Sequence, residues 1–250
     1  MTDLHTQPAD FTPLIRTVGI DGMLISFGER LNEPANRAAL ALRAELGRLT
    51  WDGIEEVSTS LVSTYIRFDP LHLDHRALRD KLEGLLASKD WYAAPLPENR
   101  RLWRIPAVFG SELAPQLEQA ASAAGLSPED AIAQLAAARV RVQTIGFAPG
   151  QPYLGELPEA WDIPRQSQLT NRIPEGALAV AIRQMVLFSV ATPTGWMHVG
   201  QTAVQLFQPQ SANPFVLRPG DEVAFTPATA EEITNLRADP MGGAKAEVLK

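Results

Sequence analysis

The chain of 250 residues contains no cysteine. This absence excludes disulfide bonds, iron–sulfur clusters, thiolate zinc sites and a cysteine nucleophile. No apolar run approaches the roughly 20 residues that a membrane-spanning helix needs, so no membrane partner is expected. Basic residues are outnumbered, with 22 Lys and Arg against 29 Asp and Glu and a net charge of −7. Because nucleic acids bind basic surfaces, a nucleic-acid partner is not expected either.

The first residues lack the features of an export signal. Met1 to His5 contain no Lys or Arg, and no apolar stretch follows them. We therefore expect a cytoplasmic protein. Hydrophobic residues make up 45% of the chain and charged residues 20%, which is typical of a folded globular protein.

Residues 1–96 are predicted to form a small α/β sandwich domain, with helices on one face of a sheet. Turn-type residues at 19–22 separate two short apolar runs, which is typical of a β-hairpin. Asn32 and Pro34 are typical of a helix start. The predicted elements are a hairpin over 12–28, a helix after Asn32, strands over 54–59 and 61–68, and a helix over 74–87.

A possible metal site lies at the start of the last of these helices, where His72, Asp74 and His75 are close together. Two imidazoles and a carboxylate can ligate zinc. The chain has only 4 His and no complementary ligand cluster. We therefore predict a solvated helix start capped by Asp74, and no metal site.

The proline-containing segment 94–99 is predicted to link this domain to a second domain over 97–250. Many short strands separated by Pro, Gly and polar turns are typical of a closed or nearly closed β-barrel, so the predicted fold class is α+β. The predicted elements are a strand over 101–109, helices over 112–124 and from Ser127, and strands over 177–182, 185–191, 196–199, 204–207, 223–225 and 246–249.

The segment 143–165 reads QTIGFAPGQPYLGELPEAWDIPR and is dense in Gly and Pro. This density predicts neither a helix nor a central strand. Phe147, Tyr153, Leu154 and Trp161 add large apolar side chains, so a shaped binding surface is one interpretation and a packed loop without a ligand is the other. The glycine spacing fits neither a dinucleotide fingerprint nor a P-loop.

Within this segment, GFAPGQPYLGELP resembles the loop of a 5-oxoprolinase subunit family, also called allophanate hydrolase subunit 1, which includes the kinase inhibitor KipI. The resemblance extends over nearly the whole chain. Further markers in order are Asp21–Glu29, Val108–Pro115, Gly125–Ser127, Ile173–Gly176, Thr192–Trp196, Gly200–Thr202 and Arg218–Asp221.

The resemblance implies a small N-terminal α/β domain followed by a cyclophilin-like β-barrel. It also implies pairing with a homologous barrel subunit, of the allophanate hydrolase subunit 2 type. With a third protein, such assemblies open 5-oxoproline to glutamate using ATP. This chain has no phosphate-binding glycine loop beside a Lys. We therefore expect no cofactor on it, ATP on a partner or on the assembled complex, and no activity of the chain alone.

Two other functions follow from the same family. One is a KipI-like inhibitor that binds a histidine kinase, and the other is a carboxyltransferase component of a biotin-dependent urea carboxylase. Three departures from the family sequence are expected to line the groove. Family members usually carry Gly-Asn-Gln where this chain has Ile182-Arg183-Gln184, an aromatic residue where it has Gln151, and Gly-Arg-Thr-Pro where it has Gly200-Gln201-Thr202-Ala203.

The candidate site residues are chosen for lactam chemistry, and the catalytic residues are left unassigned. Arg can clamp the carboxylate of 5-oxoproline, while Tyr and His can donate hydrogen bonds or transfer protons. Each also has a structural alternative, such as a surface ion pair for Arg165. The substrate-binding candidates are Phe147, Pro149, Tyr153, Arg165, Arg172, Arg183, Gln184, Trp196 and His198. The residues expected to shape the loop are Gly146, Gly150, Pro152 and Gly155.

Overall fold

The structure, a computed structural model, describes residues 12–249. The expectation that Met1–His5 carry no export signal therefore lies outside the described residues. The chain divides into two units between Glu98 and Asn99. No helix within 12–249 is long and apolar enough to cross a bilayer.

The first unit is a four-stranded antiparallel sheet with two helices, in the strand order β1-β2-β4-β3. Every element predicted here is confirmed, with shifts of only a few residues at the ends. The elements are β1 (Leu14–Val18), β2 (Gly22–Ser26), α1 (Glu33–Leu49), β3 (Ile54–Ser60), β4 (Ser63–Phe68) and α2 (His75–Leu86).

Local capping explains where the two helices begin. The Asn32 side chain accepts a hydrogen bond from the Ala35 amide at 2.9 Å, and the Asp74 carboxylate accepts two from the first turn of α2. Apolar residues of both helices and of the sheet form one core, which includes Leu42 and Leu78. The helix-start interpretation of Asp74 is therefore correct.

The second unit is a closed seven-stranded barrel, which confirms the predicted fold class. Its elements are β5 (Arg101–Phe109), α3 (Leu117–Ala123), α4 (Pro128–Ala137), β6 (Arg139–Ile145), β7 (Pro152–Gly155), β8 (Thr170–Ile173), β9 (Ala177–Ala181), β10 (Gln184–Leu187), β11 (Thr192–Thr194), β12 (Met197–Gln201), β13 (Glu222–Pro227), α5 (Ala230–Leu236) and β14 (Lys245–Val248).

The barrel strands follow the order β12-β9-β10-β7-β6-β13-β5, and pairing of β12 with β5 closes the ring. All neighbours are antiparallel except β5 and β13. Two strands share one edge of β5, since β14 pairs with its first residues and β12 with Val108 and Phe109. Separately, β8 and β11 form a two-stranded ribbon.

Several predictions in this unit need correction. The segment 143–165 does contain a central strand, because β7 pairs with β6 on one side and β10 on the other. Pro152 is tolerated because it begins that strand. Trp161, expected on a loop surface, is fully buried, and its indole Nε1 donates to Gln134 Oε1 at 3.1 Å.

The helix predicted over 112–124 begins only at Leu117, because the Gln116 amide donates to the His198 carbonyl at 3.0 Å rather than to a helical neighbour. The stretch 204–207 is not a strand, and Phe207 makes only an isolated bridge with Phe215. The helix α5 was not predicted from the sequence. Its N-terminus carries a capping box between Thr229 and Glu232, a signal that is present in the sequence.

Candidate functional site

The candidate site lies on the outer face of the barrel, where β7 and β10 are neighbours. Side chains alternate between the two faces of a strand. Leu154 and Met185 point into the barrel core. Tyr153 and Val186, which face each other across the two strands, belong to a second apolar cluster outside the barrel. That cluster also includes Ile173 of the ribbon, so the ribbon covers this part of the outer face.

The cover is incomplete and leaves a cleft of about 200 Å³. That is below the roughly 300–1,000 Å³ of sites for drug-sized ligands. A small acid or amide fits. The lining residues are Phe147, Gln151, Tyr153, Arg165, Leu169, Val186, Phe188, Pro193, Thr194, Gly195 and Trp196.

Two aromatic rings and a cation form one wall of the cleft. The rings of Tyr153 and Trp196 meet edge to face, with centroids 6.1 Å apart. The guanidinium of Arg165 lies 5.0 Å from the Trp196 ring centroid. Arg165 is exposed, and no acidic side chain of residues 12–249 pairs with it. It can therefore offer hydrogen-bond donors to an anion in the cleft.

The loop that leads into β7 forms the rim. Phe147 has a φ of +71° and its side chain is 73% exposed, an unusual combination for a bulky aromatic residue. Gly150 has a φ of +73°, and a Cβ there would lie 2.8 Å from the Leu206 carbonyl oxygen, so this position requires glycine. Pro149 is exposed and is not among the lining residues.

Two buried polar residues line the cleft: Thr194, whose hydroxyl oxygen accepts from the Trp196 backbone amide, and Gln151. Gln151 is 1% exposed, yet its side-chain oxygen Oε1 accepts no hydrogen bond from any described residue. Buried polar atoms in proteins are nearly always hydrogen-bonded. The sequence marked Gln151 as a groove position but not as a candidate site residue. Its amide oxygen can accept a hydrogen bond from a ligand.

The structure brings together four of the predicted substrate-binding residues: Phe147, Tyr153, Arg165 and Trp196. Gln184 is elsewhere, since its amide Nε2 donates to Gln143 Oε1 at 2.7 Å. The same pair explains Gly155, where a Cβ would lie 2.6 Å from Gln143 Oε1. At Gly146, by contrast, a Cβ would meet nothing within 4 Å.

The other two arginine candidates also lie outside the cleft lining. Arg183 occupies the β9–β10 turn, where its Nε donates to the Leu157 carbonyl at 3.0 Å and its guanidinium lies 3.9 Å from the Glu156 carboxylate. Arg172 is exposed on β8. Several lining residues were not predicted, among them Leu169 and Phe188. Three of the lining residues that were not predicted, Pro193, Thr194 and Gly195, fall within the quoted marker Thr192–Trp196.

His198 lies on the same outer row as Tyr153 but three strands away, through Val186 and Ala179. Strands are about 4.8 Å apart, so this separation is roughly 14 Å, too far for a small ligand to touch both. Burial lowers the pKa of His198, and the nearby Gly200 backbone and Gln201 side chain offset part of that effect. Its Nε2 is buried without a hydrogen-bond partner among the described residues.

The other histidine cluster has structural partners. His72 Nδ1 lies 2.5 Å from the Asp69 carboxylate, and the ring of His75 packs edge to face on Phe68. Within residues 12–249, no group of three or more His, Asp or Glu side chains is arranged to hold a metal ion.

Comparisons with known proteins identify a matching family and several similar proteins. Residues 13–217 match the family described as carboxyltransferase domain, subdomain C and D. A 5-oxoprolinase subunit of Bacillus subtilis (strain 168) is 32% identical over 219 residues, covering 84% of this chain and 91% of that protein. The Escherichia coli O157:H7 protein of the same name is 37% identical over 131 residues, or 52% of this chain and 60% of that one.

Solved structures extend the likeness to the fold. The structure of TTHA0988 is 33% identical with a TM-score of 0.70, and the match covers 87% of this chain but only 40% of TTHA0988. The urea carboxylase of Kluyveromyces lactis has a TM-score of 0.70 at 19% identity, over 98% of this chain and 25% of that enzyme. At that identity the likeness concerns the fold alone.

Proposed function

The chain belongs to the carboxyltransferase-domain family, subdomains C and D, and on that premise we propose that it is a subunit of an ATP-dependent complex that opens 5-oxoproline to glutamate. The relatives named as 5-oxoprolinase subunits support this substrate. The observation that carries the proposal is the cleft of about 200 Å³, which combines a guanidinium, an unpaired amide oxygen and aromatic walls.

The reaction adds water to the lactam carbonyl carbon, breaks the ring C–N bond and releases the nitrogen as an amine. Lactams are poor electrophiles, and ATP supplies the activation. The residues of this chain bind and orient the ring. Arg165 pairs with the carboxylate, while the ring packs against the wall formed by Tyr153 and Trp196, which excludes water from that side.

We place ATP outside this cleft, on a partner or on the assembled complex, because the chain has no phosphate-binding glycine loop beside a Lys. The match covers only 40% of TTHA0988, so the activity of a whole protein of that length is a proposal for this chain. We propose that a homologous barrel subunit, together with a third protein, supplies the nucleotide site and the groups that activate the lactam. The chain alone is then inactive.

The test is glutamate release from 5-oxoproline and ATP by the co-purified partners, with and without this chain. We expect turnover only when it is present. Arg165→Ala should lower kcat/KM roughly tenfold or more, since a charged hydrogen bond to substrate is lost. Arg172→Ala is the matched control, because this exposed arginine lies outside the cleft lining. Undiminished turnover without the chain would contradict the proposal.

A further inference from the structure

The cleft contains one polar group that the fold leaves unsatisfied. Gln151 is 1% exposed, and its Oε1 has no hydrogen-bond partner among residues 12–249. An unpaired buried acceptor costs free energy, so its retention in a packed site needs a reason. The buried glutamine of the neighbouring strand has no such defect, since Gln184 donates to Gln143.

The backbone holds Gln151 with its side chain toward the cleft. The backbone amide of Gln151 donates to the Ala148 carbonyl at 3.1 Å, and the backbone carbonyl of Gln151 accepts from the Gly146 amide at 3.0 Å. Tyr153, two residues later, faces the cleft from β7. Because side chains two residues apart in extended chain share a face, Gln151 lies on the same side.

The guanidinium of Arg165 is a second polar group in the lining, and it is a hydrogen-bond donor, whereas the Gln151 oxygen is an acceptor. This guanidinium lies 5.0 Å from the Trp196 ring centroid, and it has no acidic partner among the described side chains. Arginine offers donors only, whereas the Gln151 oxygen is an acceptor only. The remaining lining is largely apolar or aromatic, as with Val186 and Phe188.

We propose that the cleft recognises a small ligand with both a carboxylate and a neutral amide N–H, such as a lactam acid. The carboxylate pairs with Arg165, and the N–H donates to Gln151 Oε1. Gln151 is thus a specificity-determining residue that tells an amide from an ester of the same shape. The inference rests on the proposed function for its choice of probe but concerns binding alone.

The experiment uses three probes and the full chain with its co-purifying partners. The probes are 5-oxoproline, its lactone analogue with oxygen in place of the N–H, and 2-pyrrolidinone, which lacks the carboxylate. Affinities are measured by calorimetry or ligand-observed NMR. We expect 5-oxoproline to bind about tenfold or more tightly than the lactone, because the lactone leaves the Gln151 oxygen unpaired.

Gln151→Met keeps the side-chain length and removes the acceptor. The preference for lactam over lactone should then fall to about twofold or less. Gln151→Asn retains an amide and should keep part of the preference. Arg165→Met should weaken 5-oxoproline about tenfold and leave 2-pyrrolidinone unchanged. Gln184→Met, the matched control, should keep the wild-type preference although it breaks the pair with Gln143.

The outcomes separate this inference from the proposed function. If the wild-type complex hydrolyses 5-oxoproline but Gln151→Met keeps the full preference for lactam over lactone, the inference is wrong and the function stands. If no turnover occurs but the preference collapses in Gln151→Met, the function is wrong and the inference stands. Thermal unfolding of each variant verifies that a loss of binding is not a loss of fold.

Discussion

The two units of the chain treat buried polar groups differently. In the first unit, the Asn36 amide donates to the Leu61 carbonyl at 2.6 Å, and the Thr64 hydroxyl donates to the Ala39 carbonyl at 3.0 Å. Both bonds connect α1 to the sheet or its turn. In the second unit, buried side-chain atoms without a partner among residues 12–249 are found in Gln151, Ser189, His198 and Gln201.

This difference separates polar groups that hold the fold from polar groups that make no such bond, and of these four residues Gln151 is the one that lines the cleft. The barrel can tolerate the second kind because a large apolar core lines its interior. It also contains buried polar groups of the first kind, of which Asp221 is the most connected. Substitutions in both units can therefore test whether the distinction is real.

The largest effect is expected at Asp221, which is 2% exposed. Its carboxylate accepts from the Arg101 guanidinium at 2.5 Å, the Arg101 and Arg218 amides, and the Trp103 indole. Asp221→Ala leaves a partly buried arginine unpaired and should reduce the free energy of unfolding by about 3–5 kcal/mol in urea titrations. Asp162→Ala, at an exposed carboxylate, should change it little. A loss below about 1 kcal/mol at Asp221 would contradict this assignment.

In the first unit, Asn36→Ala should reduce the free energy of unfolding by about 1–3 kcal/mol, because the half-buried Leu61 carbonyl loses its donor. Urea unfolding monitored by hydrogen exchange in α1 and β4 provides the measurement. Arg48→Ala, on the exposed side of the same helix, is the control and should stay within about 0.5 kcal/mol. Equal effects at the two positions would remove the basis for calling Asn36 structural.

A pH effect of intermediate size is expected from His198. Burial lowers the pKa of His198 in the folded protein below the ordinary 6.5. As the pH falls through 6.5, the unfolded chain therefore binds a proton at this residue before the folded protein does. The barrel should lose up to about 1.4 kcal/mol per pH unit until the folded pKa is reached. The measurement is the free energy of unfolding at pH 7.5 and at pH 5.5. His198→Gln should reduce the difference between these two free energies. An unchanged difference in the variant would refute the role of His198.

The smallest effect is expected at Gln151, and its sign is the informative part. Gln151→Met removes an unsatisfied acceptor and should leave stability unchanged or raise it by about 1 kcal/mol, while Gln184→Met should lower it by about 1–3 kcal/mol. Thermal and urea unfolding of both variants measure this. If both glutamines prove equally stabilising, Gln151 has a structural partner and is not a free acceptor.

Much of the fold could be predicted because its signals are local. Asn32, Asp74 and Ser127 cap helices where the sequence predicts them. The strand β7 was missed because Pro152 and Gly155 argue against a central strand, and only pairing with β6 and β10 overrides that local preference. The helix α5 was missed although its capping residues Thr229 and Glu232 are evident in the sequence.

The site was harder to predict because it depends on long-range register. Tyr153 and Arg165 are close to the distinctive loop, whereas Phe188 reaches the cleft only because β10 pairs with β7 in one particular register. His198 and Arg183 have suitable chemistry, but the barrel places them elsewhere. Sequence patterns indicate which residue types are available, and strand pairing decides which of them meet.

The most direct test of the cleft is a crystal structure of the full chain grown with 5-oxoproline. We predict density for the ligand beneath the β8–β11 ribbon, with its carboxylate at Arg165, its N–H toward Gln151 and its ring beside Tyr153. Ligand bound at another surface while this cleft contains only solvent would contradict the account.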